Sequence, residues 1–299
     1  MGGTGGGPLV DRMGRPSGGP REAAAWDDRR AFLVNLRAVG GRAYPRLIGQ
    51  SREPSWLVFE ILLPLLSTFS FVFVYRALQA PEEYVGFVVL GGAMTAFWVN
   101  VVWMMAAQLY WERDSGNLEL YFTAPIGMMS ILLGMALGGL VATSIRAAVV
   151  LLVGTALFGV TYSVSSWAAL VAVFLLTLVA LYGLGMLLAS LFLMWGREAY
   201  HLAQLLTEPV YFLGGMYAPL RALGPLAALS VALIPLAVGL DAIRQLAFTG
   251  PTAVGVLPVP AEVAILIVMC IVFVAAARYA LHRLEWMARR EGRLTVRGR

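Results

Sequence analysis

Side chains able to do chemistry are scarce in this 299-residue chain. All 22 basic residues are arginine. Without lysine there is no Schiff-base amine and no phosphate-binding lysine of a P-loop. The single cysteine, Cys270, leaves no disulfide framework within the chain and no multi-cysteine metal site. Two histidines, His201 and His282, leave little for a histidine base. Glu198 and His201 offer two ligands where zinc takes three or four protein ligands, so no metal site is expected. A membrane enzyme acting on lipids would need His, Asp or Glu clustered at one interface, and no such cluster is legible.

The informative charges lie inside apolar runs: Glu60, Arg146 and Glu208. A charge at the centre of a membrane costs about 2.5–3.5 kcal/mol, so such residues face a bundle interior or a cavity. Glu60 is one turn inside its run and reaches the interface. Glu208 lies further in, before Pro209, and Arg146 lies past the middle of a long run. An Arg146–Glu208 ion pair is one option, although their depths differ by roughly 10 Å at the helical rise. The functional reading of the three is a polar lining of a transport path or of a seam between subunits. Asp241 and Arg244, three residues apart, read as a local ion pair.

The elements that position these residues follow from composition. The chain is 60% hydrophobic and 13% charged, against about 25% charged in a soluble domain. The first 52 residues hold nine arginines, the last 22 hold seven, and six lie between. A crossing helix needs about 20 apolar residues. Six candidates satisfy this: Trp56–Tyr75, Val85–Leu109, Met128–Phe158, Trp167–Trp195, Leu202–Pro219 and Ala261–Leu281. The uncharged stretch Ala222–Leu240 could be a seventh. Pro225 and Pro235 break it, however, and a seventh crossing would separate the two arginine-rich ends. Segment 222–250 therefore reads as a re-entrant or surface helical hairpin on the outer side. Six crossings put both termini in the cytoplasm, as the positive-inside rule prefers.

Residues 1–28, Gly/Pro-rich at the start and without the apolar run of a signal peptide, read as a disordered cytoplasmic tail. Residues 29–54 read as an amphipathic interfacial helix through Phe32, Leu33 and Leu36, broken at Gly40-Gly41 and Pro45, with a solvated linker as the alternative. Residues 55–285 form the six-span domain, and 286–299 a basic cytoplasmic tail. The fold class is thus an all-α polytopic membrane protein of the cell membrane.

One cytoplasmic loop, Trp111-Glu-Arg-Asp-Ser-Gly-Asn-Leu-Glu-Leu-Tyr-Phe-Thr-Ala-Pro125, stands out. Asp114 or Ser115 can cap a short helix whose Leu118, Tyr121 and Phe122 cluster on one face. Exposed aromatics between two spans suit docking to a soluble partner. Anchoring to lipid explains them equally well.

Glu112-Arg113-Asp114, Gly116, Leu118-Glu119 and Pro125 resemble the Glu-Arg-Glu-x-Gly-Thr-Leu-Glu…Pro motif of type-2 ATP-binding-cassette exporter permeases. Asn117, Tyr121 and Ala124 depart from it. Pro235-Leu236 with Asp241 and Arg244 is similar to the family's segment before its last span. The resemblance implies a transport subunit that is not itself an enzyme. It would dimerise with a second copy or a related permease and bind cytoplasmic ATPase subunits, which hold the ATP and magnesium; this chain would need no cofactor of its own. Glu112, Arg113, Asp114, Gly116, Leu118 and Glu119 would form the coupling helix between spans two and three. Gly196–His201 would be a lesser contact, and Asp241 and Arg244 an outer gate. The cargo would be an amphipathic small molecule, drug or lipid-linked compound. Membrane lipids are further partners, and nucleic acid is not expected. The competing reading is an ion-coupled secondary transporter, for which three unevenly placed ionisable residues are a thin basis.

Overall fold

The computed structural model describes residues 20–291 except 53, 125, 196–197, 225 and 250–254. Among the described residues the regular structure is helical throughout.

Helix α1 spans Pro20–Ser51. Residues 20–28, expected within a disordered tail, are therefore helical. Proline at a first helical position has no N–H to lose there, and Ala23–Ala25 favour the helix. Residues 1–19 lie outside the described residues. Gly40, Gly41 and Pro45 do not break α1, contrary to expectation. The reason is a packing partner distant in sequence, helix α6 (Met128–Phe158). A Cβ at Gly134 would collide with the Val39 carbonyl and with Arg42, so the two backbones touch there. Asn35 Oδ1 accepts from the Gly127 N–H (2.9 Å) and the Ser130 hydroxyl (3.0 Å). Tertiary packing of this kind outweighs local propensity. Phe32, Leu33 and Leu36 remain exposed.

Helix α2 (Pro54–Ala77) leads to α3 (Glu83–Val99), a π-helical segment (Asn100–Ala106) and α4 (Ala107–Asp114). After Gly116 come α5 (Asn117–Thr123), α6 and α7 (Trp167–Trp195). Then follow α8 (Ala199–Leu213), a 3-10 turn (Leu220–Leu223), α9 (Leu226–Leu233), α10 (Pro235–Ala247) and α11 (Val259–Glu291). The last helix runs past 285, where a separate tail was expected, and 292–299 lie outside the described residues.

Five helical stretches are long and apolar enough to cross a membrane: Leu57–Ala77, Glu83–Arg113, Met128–Phe158, Trp167–Leu193 and Val259–Leu284. The second is the centre of the bundle, buried continuously from Val85 to Trp98, as befits a helix apolar on all sides. By contrast α2 and α11 expose Leu62, Leu66, Ile271 and Val272, the surface that lipid solvates. The expected span Leu202–Pro219 is only partly helical: α8 stops at Leu213, where Gly214 and a left-handed Gly215 turn the chain. At 1.5 Å per residue its 15 residues cover about 22 Å.

Register contacts give the helix directions. Gly139 packs on Asn100 and Gly154 on Val89, so α3 and α6 run antiparallel. Cys270 lies against Leu176, and Gly183 against Phe273 and Val274. These pairs advance together, so α7 and α11 run parallel. The chain between them returns along the bundle through α8.

Candidate functional site

Helices α4 and α5 meet at Gly116, whose φ of 81° is left-handed and suits only glycine at low cost. Residue 116 itself holds the N-cap position of α5, the place expected of Asp114 or Ser115. Beside this joint Glu112 is 6% exposed. It accepts hydrogen bonds from Gln108 (3.1 Å), Asn117 (2.9 Å) and Tyr121 (3.2 Å) and forms an ion pair with Arg42. The Arg42 guanidinium also sits 5.6 Å from the Tyr121 ring centre. Burial pushes the Tyr121 phenol up; Arg42 pulls it down, and Glu112 pushes it up again. One carboxylate thus fastens α1, α4 and α5 together. Arg113 donates to the Leu193 carbonyl at the end of α7 (3.1 Å).

The predicted coupling residues therefore divide. Glu112 and Arg113 bind within the protein, and Leu118 is 1% exposed. The face of Leu118 and Tyr121, expected to be exposed, is turned inward because α5 folds back onto α4 and α1. Leu120, 65% exposed, and Asn117 and Trp111 present the outer surface. The side chains of Asp114 and Glu119 lie outside the described residues, as does Arg197. Arg42 was not legible beforehand, since nothing in its local spacing distinguishes it from the other arginines of the N-terminal segment.

The second constellation lies between α2, the π-helical segment, α6 and α8. Arg146, 3% exposed, forms an ion pair with Glu60 and donates to Thr143 Oγ1 (2.8 Å). Its partner is not Glu208, which is exposed on α8, and Glu60 does not simply reach the interface. Depth counted along α6 alone does not say which neighbouring helix Arg146 faces; packing turns it toward α2. The pair borders a cavity of about 410 Å³ whose walls include Glu60, Asn100, Trp103, Trp111, Arg146 and Tyr211. Asn100 is buried. Its Oδ1 accepts from the Tyr182 hydroxyl (3.2 Å), whereas its Nδ2 meets no acceptor. π-helical turns inside α-helices mark functional sites frequently.

Asp241 and Arg244 do not form the expected local ion pair. The two side chains face different neighbours. Arg244, 1% exposed, donates to the carbonyls of Phe87 (2.8 Å), Met216 (2.9 Å) and Gly215, with its guanidinium 4.0 Å from the Phe87 ring centre. Asp241 Oδ2 accepts from the Val256 N–H (2.7 Å). Together they pin α10 to α3 and to the segment before α11. Among the described residues no three His, Cys, Asp or Glu side chains gather as a metal site would require.

Comparison with curated proteins finds no match. A family model described as "ABC-2 type transporter" matches residues 46–248, more than half of the chain. The match takes in the α4–α5 joint, the cavity and helices α9 and α10. The chain belongs to the ABC-2 type transporter family, as a multi-pass membrane subunit of an ABC-type transporter.

Proposed function

We propose that this protein is the permease of an exporter that carries amphipathic compounds out of the cytoplasm, driven by a separate ATPase docked at α4–α5. That ATPase holds the ATP and magnesium, and two permease chains form the working unit. The observation that carries this reading is the Glu112 joint. A buried carboxylate with four partners makes α1, α4 and α5 one rigid lever at the base of α3 and α6. A push on exposed Leu120 then tilts both long helices together.

The parallel course of α7 and α11 supports six crossings, with α8 and the adjoining turn making the fifth. Both arginine-rich ends then lie on the cytoplasmic face of the cell membrane, and α9–α10 forms an outer hairpin held by Arg244. Co-purification tests the reading: an ATPase subunit is retained by the wild-type chain from its own cells and lost with Leu120→Asp. A wild-type chain that retains no ATPase overturns it. So does transport that survives ATP depletion while the ion gradients stay intact, the result an ion-coupled transporter would give.

A further inference from the structure

The cavity beside Glu60 and Arg146 carries a chemical signature of its own. Its volume of about 410 Å³ falls within the range of roughly 300–1,000 Å³ that holds small molecules. Five of its lining residues carry rings, Phe59, Trp103, Trp111, Tyr211 and Tyr217, the surfaces on which a flat apolar body stacks. Its cation, Arg146, is already committed, one terminal nitrogen to Glu60 and the other to Thr143. An anionic headgroup could take Arg146 only by stranding the Glu60 carboxylate, and a cationic one could take Glu60 only by stranding Arg146. Either leaves a buried charge unpaired, the costly outcome. A glycan would bring many hydroxyls to a wall whose exposed surface is mostly apolar and leave them unsatisfied. One polar demand remains open, the unpartnered Nδ2 of buried Asn100; buried donors of this kind call for an acceptor.

We infer that the cavity binds an uncharged, ring-bearing amphiphile that presents one hydrogen-bond acceptor to Asn100, and that this is the class of compound the protein exports. The second half of this statement rests on the permease reading. The first half does not, because ligand binding needs no ATPase.

The test uses the full chain in lipid nanodiscs without ATPase. Energy transfer from tryptophan to 7-(diethylamino)coumarin, a neutral ring system with a lactone carbonyl, is titrated against transfer to its 3-carboxylate anion. The neutral probe is expected to bind saturably, and the anion at least about tenfold more weakly. Asn100→Leu weakens the neutral probe about tenfold, the size of one lost hydrogen bond. Glu60→Gln releases Arg146 and reverses the preference, so that the anion binds more tightly than the neutral probe. This gain of binding cannot come from misfolding. Equal binding of both probes by the wild-type chain overturns the inference, as does absence of saturable transfer. Displacement of the neutral probe by undecaprenyl phosphate also overturns it, in favour of a lipid-phosphate cargo. Failure of ATPase co-purification with these binding results intact would sink the permease reading and leave the site standing.

Discussion

Arg146 and Glu60 show what a membrane interior does to a pair of charges. Each alone would be expelled or neutralised. Together they persist because each satisfies the other and Thr143 takes a further donor. Removing one partner is therefore worse than removing both. Arg146→Met or Glu60→Leu alone is expected to lower stability by about 3–5 kcal/mol, whereas the double variant recovers most of the loss. Thermal unfolding of the four proteins in detergent gives the coupling energy, and additive losses would show that the pair is not coupled. The sequence made both residues conspicuous as charges within apolar runs. It did not pair them, since depth counted along one helix does not show which face of another helix it meets. Glu112 was conspicuous as well, through its motif. Its inward role depends on Arg42, seventy residues upstream, and no local pattern links the two.

Helix ends were legible where stop signals are local. Met128–Phe158 and Trp167–Trp195 coincide with the expected spans, bounded by Pro125, Gly159 and a polar turn. The continuous α1 was not legible, because it is held by the packing of Val39 and Arg42 against Gly134, far along the chain. The α4–α5 joint depends on a different glycine. Gly116 sits at φ 81°, where a β-branched residue is strained by about 1–3 kcal/mol. Gly116→Val is expected to swing α5 away from Glu112 and weaken ATPase docking, with bundle stability little changed. Gly116→Asn, which tolerates the left-handed region better, retains most of the docking. Co-purified ATPase measured alongside unfolding temperature checks this. Equal docking by the valine variant would mean that the bend at residue 116 does not set the position of Leu120.

At the scale of the whole molecule the topology depends on one short helix. Five stretches qualify as spans by length and apolarity, and five crossings would put the two arginine-rich ends on opposite sides. The parallel packing of α7 against α11 calls for a return between them; in the proposed six-crossing topology α8, too short alone, makes it with the turn that Arg244 holds against α3. Hydropathy placed a span there but could not see its truncation at Gly214, because apolar character continues through the turn. Charge asymmetry argues for six crossings, because arginine is expelled from the apolar layer wherever it lacks a partner. Single cysteines in a Cys270→Ala background decide the matter. Exposed Glu82 and Ser163, in the α2–α3 and α6–α7 connections, are expected to react as cysteines with a membrane-impermeant maleimide in intact cells. Exposed Ser115 and His282, as cysteines, are expected to react only after permeabilisation. A cysteine at 282 that labels from outside would mean that α8 turns back, leaving five crossings and the two basic ends on opposite faces.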